Sequence, residues 1–167
     1  MIDQNMHPEL AHWAELIERL RWAGFLLDRD HRLVWASPEV QRFLGSPREE
    51  ELGYGSHILE VFTRTPWRRT ATSETGRRLL TDLAPFVIED AQAQKAVLEA
   101  IPEDFRPLFG QIEPRPFTRP VATSFDYVEA HGESDLPVMR VNTLATPLQD
   151  ADGEFIGVLV LGYISFR

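Results

Sequence analysis

Few residues in this chain have types and spacings that could do chemistry. Asp28 and Asp30, and again Asp150 and Asp152, are carboxylates two positions apart, a pairing that general acid–base work can use. Both pairs lie in short polar connections between apolar runs. An Asp in such a turn accepts hydrogen bonds from nearby backbone N–H groups, which accounts for both pairs without catalysis. His131-Gly132-Glu133-Ser134-Asp135 offers metal-ligating side chains, but its strand-like flanks make it the tip of a hairpin. Ser37, Ser56 and Ser73 lack a neighbouring His/Asp pattern or a Gly-x-Ser-x-Gly elbow. His57 precedes a short apolar stretch and reads as a capping or surface histidine rather than a metal ligand. Arg64, Arg68, Arg69, Arg77 and Arg78 form the local excess of positive charge. Guanidinium groups hold carboxylate or phosphate bidentately, so an anionic ligand is one reading, and pairing with surrounding Asp and Glu is the other. The expectation is a protein that is not an enzyme.

Composition narrows the class. Acidic residues number 26 against 17 basic ones, for a net charge of −9, which argues against a nucleic-acid binder held by phosphate contacts. The 43% hydrophobic content, with ten Phe and four Trp, is enough for a core and excludes wholesale disorder. Cysteine is absent, which removes disulfides, thiolate-bound zinc, iron–sulfur clusters and a Cys nucleophile. Lys95 is the single lysine, the mark of a GC-rich genome, and a bacterial source is expected. Met1 to Trp13 lacks the basic start and apolar stretch of a signal peptide. The longest apolar run, Phe155 to Ile164, is half the roughly 20 residues a membrane-spanning helix needs. A cytoplasmic protein without membrane contact is the expectation.

Elements able to position these residues follow from periodicity. Pro8 to Trp22 has Leu10, Trp13, Ile17 and Leu20 at helical steps, with Glu9, Glu15, Glu18 and Arg19 opposite, and predicts an amphipathic helix. Gly24 to Leu27, a turn over Asp28 to His31, and Arg32 to Ala36 predict an antiparallel hairpin. Ser37-Pro38 is a helix start, and Gly45 ends the short helix that follows. Ser46-Pro47 starts another, closing at Gly53. Thr63 to Gly76 is polar, and helical character returns from Arg77, with a break at Pro85 and a further helix to Ile101. Five prolines between Pro102 and Pro120 make that segment an irregular connection, pinned by Phe105, Leu108, Phe109, Ile112 and Phe117. Three strands follow, at Val121 to Ala130, Val138 to Leu148 and Glu154 to Phe166. The fold class expected is α+β, a five-stranded antiparallel sheet with helices on one face and an N-terminal amphipathic helix.

A family resemblance rests on two stretches. Phe25-Leu26-Leu27-Asp28-Arg29-Asp30-His31-Arg32-Leu33-Val34-Trp35-Ala36-Ser37-Pro38-Glu39-Val40, with Phe43-Leu44-Gly45 and Pro47 to Gly53, resembles the opening of a PAS domain. Thr146 to Val158 is similar to the PAS hairpin between its last two strands. The resemblance covers about 24–62 and 121–166, leaving the middle longer than a plain PAS domain carries. Ser37 stands where members often have Asn, and Tyr163-Ile164-Ser165 where many have an Asp-Ile-Thr-like exit. It implies a sensory or dimerisation module whose output domain is absent from these 167 residues. It further implies that the flavin–Cys adduct is excluded and that haem is not expected, since haem-binding members usually supply a mid-domain His and none lies between His57 and His131.

The domain expectation is an amphipathic helix over 1–22 and a PAS-like domain over 23–167, with a helical and Pro-rich insertion at about 63–120. The last strand is apolar on both faces, with Phe155, Leu159, Leu161 and Tyr163 on one side and Ile156, Val158 and Val160 on the other, so both sides of the sheet must be covered. Leu10, Trp13, Ile17 and Leu20 are the candidate cover, over their own sheet or across a homodimer. The ligand expected is a small molecule, anionic in the reading that uses Arg68. Arg140 and Asn142, two apart on one strand, are candidate polar anchors, and Trp67, Phe86 and Tyr127 candidate walls. The alternative is an interaction module with a filled core and no ligand.

Overall fold

The first helix, α1 (Pro8–Leu20), begins where the sequence places it. His7 is its N-cap, with Nδ1 accepting from the Glu9 N–H, and Pro8 fills the first helical position. Arg21 ends it in the left-handed conformation, and the chain turns directly into β1 (Ala23–Asp28) and β2 (Leu33–Ala36). In this computed structural model the residues described are 6–69, 82–88, 91–109, 112–127 and 139–165.

Short helices follow, α2 (Pro38–Phe43), α3 (Glu49–Leu52), α4 (Ile58–Thr63) and α5 (Thr65–Arg69). Buried Ser37 caps α2. Its Oγ accepts from the Val40 N–H at 3.2 Å and from the Gly24 N–H at 3.1 Å, so one hydroxyl starts the helix and ties it to β1. A helical segment over 82–87 (α6) and α7 (Ala91–Ala100) complete the lobe, with a 3₁₀ turn at Arg106–Phe109. The chain ends in β3 (Val121–Tyr127), β4 (Met139–Gln149) and β5 (Phe155–Ser165).

All five strands form one antiparallel sheet in the order β2-β1-β5-β4-β3, and the first hairpin joins the last three strands through β1–β5 pairing. The sheet has a core on each side. On one, Leu10, Ala14 and Ile17 of α1 pack over Leu26, Trp35, Leu148 and Leu159. On the other, the helical lobe covers Phe25, Leu27, Leu33, Val158 and Val160. Gly24 lets β1 lie close against β5, because a Cβ there would stand 2.9 Å from Leu161 Cδ2 and 3.0 Å from Val160 O.

Four details depart from the sequence reading. Strict alternation groups Phe155 with Leu159, but Leu148 pairs with Gly157 and Gln149 with Phe155, leaving Ile156 as an extra residue in a bulge. Phe155 therefore turns toward the lobe and Ile156 toward α1. Leu20 leaves the helix stripe at 45% exposure, since it closes α1 beyond the packed turns, and Ala14 takes part in its stead. The polar stretch around Trp67 forms α5, and helix α6 runs through Pro85. The Pro-rich connection packs on the core through Phe105, Ile112 and Phe117, while the side chains of Leu108 and Phe109 lie outside the described residues.

Candidate functional site

Two hairpin turns meet at one end of the sheet and share one design. Asp28 Oδ1 accepts from the N–H groups of Asp30 and Arg32, each at 2.9 Å, and Asp150 Oδ1 accepts from those of Asp152 and Glu154, also at 2.9 Å. Asp28 and Asp150, the first carboxylate of each pair, are thus turn formers. The fourth residue of each turn is left-handed, His31 at φ 57° and Gly153 at φ 85°. Burial raises the Asp28 carboxyl above its ordinary range, against the pull of the two N–H groups it accepts from.

His31 is the unusual member. Its side chain is only 4% exposed, and its Nε2 is buried without a hydrogen-bond partner. The segment after α3 runs beside β2 and brings His57 alongside, with Leu33 N–H donating to Ser56 O and Ile58 N–H to His31 O. The two rings stand 6.2 Å apart. His57 donates from Nε2 to Val87 O at 2.9 Å and accepts at Nδ1 from the Leu59 N–H at 3.3 Å, capping α4. Both His57 nitrogens are engaged, which sets the tautomer and leaves no lone pair for a metal. Burial lowers the pKa of His31 to about 4, helped by the charge of His57 and opposed by Asp30. Burial also lowers that of His57, against its bond to Val87 O.

A cavity of about 420 Å³ opens over His31. Phe86, Ile88, Phe117 and Phe155 form its apolar walls, and Pro114-Arg115-Pro116 crosses its edge. Phe155 lies 5.8 Å from the His31 ring, and Phe86 5.7 Å from Phe117, both tilted. The Arg115 N–H donates to Pro85 O, which ties this strap to α6. A smaller cavity of about 280 Å³ shares Phe117 and Phe155 with it.

Of the residues expected to bind ligand, the cavity takes in Phe86. Trp67 is buried in the core, its indole N–H donating to Leu52 O at 3.0 Å and its ring edge-on to Phe25 and Phe62. Arg68 is exposed on α5. Arg140 and Asn142 occupy the β4 positions that share the α1 side with Leu144 and Leu148, and Asn142 Oδ1 accepts from Ser124 Oγ. Tyr127 ends β3 opposite Met139, and its side chain lies outside the described residues, as do Arg77, Arg78 and 131–135. Arg64 donates to Glu60 and Ser56 at 2.7 and 2.8 Å, the pairing alternative for that arginine. Leu10 and Ile17 are buried and Trp13 is partly buried against α1's own sheet. Among the described residues no His/Asp/Glu cluster could hold a metal, and no helix is long and apolar enough to cross a membrane.

His31, Ile88, Arg115, Phe117 and Phe155 were not singled out as site residues from sequence. One signal for them exists. Asp28-x-Asp30-His31 parallels Asp150-x-Asp152-Gly153, and a histidine in the position of a left-handed glycine needs a reason.

No protein-family model matches the chain, and no curated protein matches it in sequence. Among solved structures, the PAS domain of BvgS from Bordetella pertussis matches with a TM-score of 0.53 at 14% identity, covering 96% of this chain and 89% of that one. The VqmA dimer from Vibrio cholerae, determined without its target DNA, matches at 0.50 and 15% identity, covering 96% of this chain and 52% of that one. At such identities the likeness is one of fold, and the fold is PAS-like.

Proposed function

We propose that this PAS-fold chain is a sensory, non-enzymatic regulatory domain of a larger cytoplasmic signalling protein, in which a small molecule on the lobe side of the sheet changes how α1 sits on the other side. The observation that carries it is the division of β5 between two cores. Phe155 lines the cavity and Val158 and Val160 pack under the lobe, while Ile156, Leu159 and Leu161 pack under α1. Movement of Phe155 on ligand binding is transmitted across a single bulged strand to the helix. A ligand drives this only through different affinities for the two packings.

The same reading includes a homodimer. Trp22, Leu144 and Tyr163 remain exposed at 51%, 43% and 67% beside the end of α1, and the register Ala23↔Gly162 and Leu144↔Leu161 places their positions close together. Removing residues 1–22 shifts such a dimer to monomer or aggregate, and an unchanged soluble dimer contradicts this part.

A second reading, the interaction module with a filled core, is favoured by Phe25, Phe62 and Trp67, which fill the middle of the lobe side with edge-on contacts. Native mass spectrometry, an absorption spectrum and a thermal-shift screen of the purified protein separate the two. A retained compound, or one that raises the melting temperature, supports the sensor. A bare mass with no stabilising compound supports the module.

A further inference from the structure

We propose that the cavity at the hairpin end of the sheet binds a hydroxylated aromatic carboxylate, with His31 pairing the hydroxyl at its floor and Arg115 the carboxylate at its mouth. The inference rests on the sensory reading and gives that reading its ligand class.

His31 supplies the floor. A native fold rarely keeps a buried polar atom unpaired, and here His31 is 4% exposed, held on a left-handed backbone and part of the cavity lining, with Nε2 buried and unpartnered. Either tautomer of a neutral imidazole can present at Nε2. A hydroxyl both donates and accepts, so it pairs with Nε2 in each case.

The mouth carries the charge. Arg115 is exposed and forms none of the ion pairs found among the described residues, and its backbone is held by its N–H to Pro85 O and by prolines on both sides. An exposed guanidinium carried on this strap can take a carboxylate bidentately.

Between floor and mouth the walls are aromatic. The tilted Phe86–Phe117 pair and Phe155 beside His31 offer ring faces and edges to a flat apolar body. The volume of about 420 Å³ lies within the range of small-molecule pockets. The Phe25–Phe62–Trp67 cluster occupies the middle of the sheet's lobe side, so this site lies at its hairpin end.

The test titrates 4-hydroxybenzoate, benzoate and 4-hydroxybenzamide into the full chain by calorimetry, with the imidazole nitrogens followed by NMR. The first probe binds and moves the His31 Nε2 signal, and loss of either polar group weakens binding about tenfold. His31→Gly, which suits the left-handed backbone, erases the preference for the hydroxyl and keeps that for the carboxylate; Arg115→Gln does the reverse. Should His31→Gly fail to fold, His31→Asn tolerates the same backbone and carries the same test. The site is overturned if no probe moves His31, as when only water fills the cavity, or if both variants keep the wild-type ranking. A compound that perturbs Trp67 instead overturns this site and leaves the sensory reading standing. A protein that binds none of these probes, carries no retained compound and is stabilised by none in the thermal-shift screen overturns both.

Discussion

The β1–β2 and β4–β5 turns sit side by side, each organised by one Asp oxygen that collects two backbone N–H groups, yet their left-handed residues have opposite fates. Around Gly153 nothing lies within 4 Å of where a Cβ would be, and the tip is exposed. His31, at a conformation that costs a residue with a Cβ on the order of 1 kcal/mol, turns its ring inward to a cavity. The same backbone device closes a hairpin in one turn and holds an imidazole in the other. A left-handed, buried histidine with an unpaired Nε2 beside a relaxed glycine is where the proposed site would exchange stability for binding.

The largest expected effect separating the turns is on acid stability. An unfolded histidine titrates near 6.5, so below that pH the unfolded chain takes up a proton that folded His31, at about 4, refuses. Stability is full above about pH 6.5 and falls progressively toward pH 4. The gap between 6.5 and about 4 corresponds to about 3 kcal/mol, and His57 acts in the same direction. Denaturation curves between pH 4 and 7.5 check this, and His31→Gly removes most of the slope. An undiminished slope in that variant assigns the loss elsewhere.

Next in size is His57→Ala, which removes the α4 cap and the bond to Val87 together and costs about 2 kcal/mol at neutral pH. A cost under about 0.5 kcal/mol shows that the lobe does not depend on this tie. The Asp pair sharpens the comparison further. Asp150→Ala costs about 1–2 kcal/mol for two lost acceptor contacts. Asp28→Ala costs less, because burial already disfavours that carboxylate. Urea midpoints rank them, and the reverse order contradicts the role given to burial. The smallest effect is Gly153→Asn, a few tenths of a kcal/mol, since Asn tolerates the left-handed region and meets no neighbour.

The elements that announce themselves through local chemistry were legible in the chain. Asp28 and Asp150 mark both hairpins, Ser37-Pro38 marks α2, and the spacing of Leu10, Trp13 and Ile17 marks the helix that covers the sheet. The two-sided apolar character of β5 required covers on both faces, and both exist. What escaped depends on register and depth. A one-residue bulge at Ile156 exchanges the facings of Phe155 and Ile156, and periodicity carries no trace of it. Trp67, expected as a pocket wall, fills the core instead, its N–H bonded to Leu52 O. Arg140 and Asn142 were rightly placed on one face, but the sequence could not say which side of the sheet that face meets. His31 looked like a solvated turn residue because its burial comes from Phe155 and the lobe, far along the chain.

The account depends most on His31 standing buried and neutral in the cavity, and titration of the histidine side chains by NMR tests that without any ligand. The account predicts a His31 midpoint near 4 and a His57 midpoint below 6.5 in the folded protein. A His31 midpoint at the ordinary 6.5 would place the ring in water, and the cavity would lose its floor.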